Sequence, residues 1–238
     1  MRYFHIQTKS YWLCLLTLFL TQTCAISAEN TSKKTGSGDF AANTDVIVVA
    51  DFRDSGGISE LLQQPGTDTA STEVVDRALG SGASETFRLA DSVNGSFTSA
   101  ETNQILHVLV NKKFVSTASH VTPAIVVVFE NTNPVTQFVM SDGSYTNVEA
   151  VLDVDGDGFD EVLLTAPMIH MGKELIGASL YGFKNPQELN RQKIGLVYES
   201  SCSVNEQTLS SGDISATVIT KILNDTVLQT EEFFRSCE

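Results

Sequence analysis

The chain reads as a mainly β protein, with antiparallel strands in a sandwich or propeller-like meander and one or two short N-terminal helices. Two observations predict this class. Beyond Gly80 the sequence is a succession of short apolar runs parted by turn residues, each run too short to form a helix of its own. Helical candidates are confined to two stretches of the first half, 58–63 and 72–79, the second with Ser71 or Thr72 as cap and Gly80 as stop.

Taken in order, the chain opens on Arg2 and Lys9, an apolar run over 11–20 and small residues ending at Ala28, the pattern of a secretory signal peptide cleaved after residue 28. The alternative is a membrane anchor, but an apolar run of about ten residues falls short of the roughly 20 that span a bilayer core. Lipid attachment at Cys24 is a further alternative, which Gln22 and Thr23 suit poorly. Residues 29–44 are Ser, Thr, Lys, Gly and Asn with little apolar content and read as a flexible linker. The folded domain then occupies 45–238. Its expected strands are 46–50, 105–110, 124–129, 136–140, 148–152, 162–165, 175–183, 194–198, 214–222 and 227–234, with hairpin breaks at 131–134 and 141–144. No clean internal repeat is evident.

The formal net charge of the 238 residues is −14, and loss of the signal, which holds Arg2 and Lys9 but no acid, makes it two units more negative. Such a field repels nucleic acid and anionic lipid and collects cations, which argues against a phosphate-backbone partner. Cys14 and Cys24 lie in or beside the signal, so the mature domain keeps Cys202 and Cys237. In an oxidising compartment these are expected to pair, the alternative being two separate buried thiols. Closing a loop of about 36 residues would contribute about 4 kcal/mol in the chain-entropy picture, before any native strain. The expected location is secreted or periplasmic, with no membrane span after signal cleavage. Sequons at Asn30, Asn94 and Asn224 matter only in a eukaryotic host.

The segment with the clearest chemistry is 153–161. Asp153, Asp155, Asp157 and Glu161 occupy its first, third, fifth and ninth positions, with Gly156 and Gly158 between them. Ca²⁺ takes six to eight oxygens at about 2.3–2.6 Å, so a tight turn must aim alternate carboxylates inward and add a backbone oxygen, here the Phe159 carbonyl. The glycines supply φ values that a Cβ makes costly. Without a cation the carboxylates would repel one another and raise their own pKa values; a bound metal converts that repulsion into folding free energy. The alternative is a solvated acidic turn, which explains this alternation poorly. An EF-hand would carry a bidentate Glu at position twelve, where this chain has Leu164, and would lie between helices rather than strands.

The Asp-x-Asp-Gly-Asp-Gly-x-x-Glu loop with apolar strands on both sides resembles the calcium loop of FG-GAP and VCBS repeats, which join strands of β-propeller blades, as in the head of integrin α subunits. The resemblance covers about 20 residues and implies the same ligands, Asp153, Asp155, Asp157, the Phe159 carbonyl and Glu161. It implies calcium as the cofactor.

Other chemical signals are weaker. The stretch Arg53-Asp54-Ser55-Gly56-Gly57 matches the surroundings of a chymotrypsin-like nucleophile, but that scaffold places its His and Asp before the Ser, and the only His before Ser55 is His5 in the signal. A polar turn is the better reading. His170, Lys173 and Glu174 follow the strand after the acidic loop and could line a neighbouring site; His107 and His120 are isolated; Asp51 and Asp54 could add an oxygen ligand. Against each stands an ordinary hydrogen-bonded or solvated role. The leading expectation is an exported, non-enzymatic calcium-binding module for binding or adhesion, with a protein or glycan ligand. Its rivals are an extracellular hydrolase of a polymer using His170 and nearby carboxylates, and a structural envelope protein.

Overall fold

The computed structural model describes residues 45–55, 69–114, 120–185, 189–202 and 212–237, all within the compact unit Asp39–Glu238. The expected signal peptide 1–28, the linker 29–44 and the helical candidate 58–63 lie outside the described residues. No helix among the described residues is long and apolar enough to cross a membrane.

The fold is mainly β and antiparallel. Strand β1 (Val46–Asp51) is followed by helix α1 (Thr69–Leu79), a 3₁₀ turn (Ala83–Glu85), and strands β2 (Phe87–Gly95), β3 (Gln104–Asn111), β4 (Ala124–Glu130), β5 (Asn133–Met140), β6 (Asn147–Leu152), β7 (Glu161–His170), β8 (Lys173–Gly182), β9 (Asn190–Ser200), β10 (Asp213–Ile222) and β11 (Leu228–Ser236). Strands β2 to β5 form a four-stranded meander; β6 to β11 form a second meander to which β1 returns, giving a seven-stranded sheet. Strand β11 pairs with β10 along nearly its whole length, while the other edge of β10 is shared by β9 at Ile214–Ala216 and β1 at Val218–Ile222.

Three apolar layers hold these elements. Val126 and Val128 of β4, Leu106 and Val108 of β3, and Val162, Leu164 and Tyr181 of the large sheet meet in a core shared by the two sheets. The opposite face of the small sheet, through Leu109, Val127 and Phe129, packs on Val75 of α1. The large sheet curls so that its other face encloses a second core of Leu163, Ile176, Leu180, Val197 and Ile219. The curl brings β1 beside β6 and lets Lys221 of β10 donate from Nζ to the Asp153 carbonyl at 2.6 Å.

This layering explains the sequence pattern. β4 and β7 are buried on both faces, so they read as unbroken apolar runs instead of alternating ones. Helix α1 begins at Thr69, three residues before the expected start, and ends as expected at Gly80, whose φ of 107° lets its N–H close on the Asp76 carbonyl. The expected break at 131–134 is shorter: Asn131 turns the chain with φ 57°, and Pro134 already lies in β5, an edge strand that tolerates a missing donor. Strand β2 was not expected, because Arg88, Asp91, Asn94 and Gly95 interrupt its apolar residues.

Candidate metal centre

The acidic loop joins β6 to β7 at one end of the large sheet. Both strands are fixed by the cores: Leu152 pairs with Glu161, which in turn pairs with Gly182 of β8. Within the loop Val154 is buried in the second core, so the backbone on either side of it turns outward. Gly156 and Gly158 adopt φ 77° and 85°, the left-handed conformations their spacing suggested. A second anchor comes from Asp160, whose N–H donates to the Ser96 carbonyl at 2.8 Å and whose Oδ2 accepts from the Ser96 N–H at 2.7 Å. The loop is thereby clipped to the end of β2.

Asp153, Asp155 and Glu161 each bring a carboxylate oxygen to within 4.8 Å of the others. Oxygens bound to one hard cation at about 2.3–2.6 Å lie no more than about 5 Å apart, so this spacing is one an ion can bridge. Asp153 is held by the loop backbone: Oδ1 accepts from Gly156 N–H at 2.7 Å and Asp157 N–H at 3.1 Å, and Oδ2 from Gly158 N–H at 2.9 Å. Glu161 Oε2 accepts from Val154 N–H at 2.7 Å. Burial pushes the Glu161 carboxyl up to about 7; the Val154 hydrogen bond opposes this, and the charges of Asp155, Asp153 and Asp157 add to it. A cation at the triad would remove that penalty.

The other two expected ligands are placed differently. Asp157 Oδ2 accepts from Lys184 Nζ at 2.7 Å, and the ammonium holds its carboxyl below the usual range. Phe159 donates its N–H to Asp157 Oδ1 at 3.0 Å and lays its ring 4.6 Å from Lys184 Nζ. Lys184, Lys221 and Asp160 escaped the sequence reading; each acts on the loop from a distant strand or turn, which spacing within a loop does not reveal.

The remaining candidates separate from the loop. His170 and Lys173 pair at the tip of the β7–β8 hairpin, at the far end of β7 from Glu161. At about 3.3 Å per residue the strand puts them roughly 30 Å away, so His170 and Glu174 cannot join the acidic loop in one site, and the hydrolase reading loses its histidine. Lys173 pairs with Glu199 at 2.5 Å. His107 is buried, hydrogen-bonded to Ser92 Oγ at 2.7 Å and edge-on to Phe129, and burial lowers its pKa. His120 is exposed. Asp51 is engaged by Arg53 at 2.6 Å, and Ser55 closes a turn on the Phe52 carbonyl. Cys202 and Cys237 form a disulfide with Cα atoms 5.8 Å apart, a bond compatible with an oxidising, exported location.

Fold and loop together define an antiparallel two-sheet β protein whose strand-to-strand loop gathers carboxylates able to hold a metal ion. Comparison with protein-family models, with curated proteins and with solved structures finds no match.

Proposed function

We propose that the chain is an exported calcium-binding β module that binds a protein or glycan and performs no chemistry of its own, with 153–161 acting as an FG-GAP/VCBS-type loop. The observation that carries this reading is the convergence of Asp153, Asp155 and Glu161. The donors are all oxygens, the set preferred by hard cations over zinc or copper. Asp157 and the Phe159 carbonyl complete the coordination when Lys184 releases Asp157. The role of the ion is to neutralise the loop and rigidify the β6–β7 connection, which fixes the surface around it.

Thermal unfolding of the oxidised protein in excess Ca²⁺ and in chelator tests the reading. At about 100 times the Kd, calcium adds about 2.7 kcal/mol to a folded state that alone binds it. A rise in midpoint that Asp155→Ala abolishes is the expected result; no difference between the two conditions returns the loop to a solvated acidic turn. Screening glycans and envelope extracts for saturable binding tests the module itself, and turnover of a bound polymer would replace binding with hydrolysis.

A further inference from the structure

A groove lies on the face of the large sheet that carries Tyr181. It is lined by Asp142 and Tyr145 from the β5–β6 connection, Met168 of β7, Ser179 of β8, and Arg191 and Lys193 of β9. Gly177 and Gly195 also line it, and the β8–β9 register slips between Ile176 and Gly177 and again between Ala178 and Ser179. Two irregularities beside two residues without side chains open the sheet surface to close approach.

The polar groups around the groove are preorganised. Arg191 Nη1 lies 2.6 Å from Asp142 Oδ2, and its Nη2 donates to Ser179 Oγ at 3.3 Å. The Tyr181 hydroxyl donates to Asp142 Oδ2 at 2.7 Å, and the Tyr145 hydroxyl lies 3.1 Å from Ser179 Oγ. The guanidinium is thus held from several sides with N–H donors to spare, since it carries five. Lys193, two residues along the same strand and hence on the same side of it, is exposed and makes no ion pair among the described residues. In a chain of net charge −14, this is a local inversion of sign beside one carboxylate and three hydroxyls.

We propose that this groove binds a carboxylated sugar, with Lys193 and Arg191 on the carboxylate and Asp142 on ring hydroxyls, while Ser179, 2% exposed, holds Arg191 from below. A bare anion would use the two cations and be repelled by Asp142; a ligand that donates as well as accepts uses all of them. The glycines admit the ring. Tyr145 and Tyr181 are 3% and 2% exposed, so no aromatic face is offered for stacking and the affinity is modest. The inference rests on the reading of the protein as a binding module and names its ligand class; it does not depend on the metal loop.

The test is titration of the oxidised protein with galacturonate and glucuronate, followed by NMR and run in chelator so that no cation bridges sugar and protein. Galactose, acetate and phosphate are the comparison probes, and an oligogalacturonate separates free sugar from polymer. Saturable shifts with a uronate, at least tenfold weaker for galactose and acetate, are expected. Lys193→Gln should weaken binding about tenfold without changing the thermal midpoint. Gly177→Ala probes the floor: a Cβ there meets nothing nearer than 3.8 Å, so the fold accepts it while the groove narrows and binding weakens. No saturable response to either uronate, an equal response to acetate or phosphate, or unchanged affinity in Lys193→Gln overturns the proposal. Uronate binding without calcium-dependent stabilisation would overturn the metal reading and leave this one standing.

Discussion

Glu161 concentrates the physics of the acidic loop in one side chain. Its ordinary carboxyl pKa of 4.5 is raised to about 7 in the folded protein, chiefly by burial. Between those values the folded state holds a proton that the unfolded chain has lost, so metal-free stability should fall as pH rises from about 4.5 to 7. The loss is on the order of 1–2 kcal/mol once solvent screening of this half-buried group is allowed for. Denaturant midpoints across that range check it, and Glu161→Gln should flatten the slope. Saturating calcium should abolish the slope, because the ion displaces the proton from the same oxygens and leaves the folded and unfolded states equally deprotonated across that range. Lys184 adds a second competition, since its ammonium occupies Asp157. Lys184→Met should leave the metal-free denaturation midpoint nearly unchanged, as the pair is largely exposed. It should tighten calcium severalfold by calorimetry; weaker binding in that variant would mean that Lys184 supports the site instead of contesting it.

At the scale of the element, the β6–β7 turn is legible in the sequence because each position has a local reason. Gly156 and Gly158 both adopt positive φ, yet they differ in surroundings: a Cβ on Gly156 meets open space, whereas one on Gly158 would lie 3.3 Å from Ala100 Cβ. Alanine at Gly156 should therefore cost about 1 kcal/mol from backbone strain alone, and alanine at Gly158 more. Equal midpoints for the two variants would show that the loop does not press on the β2–β3 connection. Strands β3, β4, β7, β8 and β10 were readable for a similar reason, because burial on two faces leaves continuous apolar runs. β2 was not, since Arg88, Asp91 and Asn94 break its apolar run; Asp91 accepts the Val148 N–H from another sheet, a contact that the local pattern does not encode. The same limit hid the Ser96–Asp160 clip, whose partners are 64 residues apart, and the pairing of Lys184 with Asp157.

For the molecule as a whole, the large sheet is built from neighbours in sequence except at β10, where the chain's first described strand meets its last ones. β11 is the weak member there. Leu228 is its only buried residue, and the rest of the strand is mostly exposed, so ladder hydrogen bonds with β10 and the Cys202–Cys237 bridge hold it more than packing does. The bridge ties the end of β9 to the end of β11 across the start of β10, where the Cys237 N–H also reaches the Gly212 carbonyl at 2.8 Å. Replacing both cysteines with serine should lower the unfolding free energy by about 2–4 kcal/mol, measured by denaturant titration. Hydrogen exchange should then separate a global from a local effect. Amides of β11 should lose protection first, while those of β7 and β8, covered on both faces by the two cores, should keep theirs up to the global transition. Uniform loss across all strands would instead show that β11 unfolds only with the rest, and that the bridge acts on the unfolded chain and not on this edge.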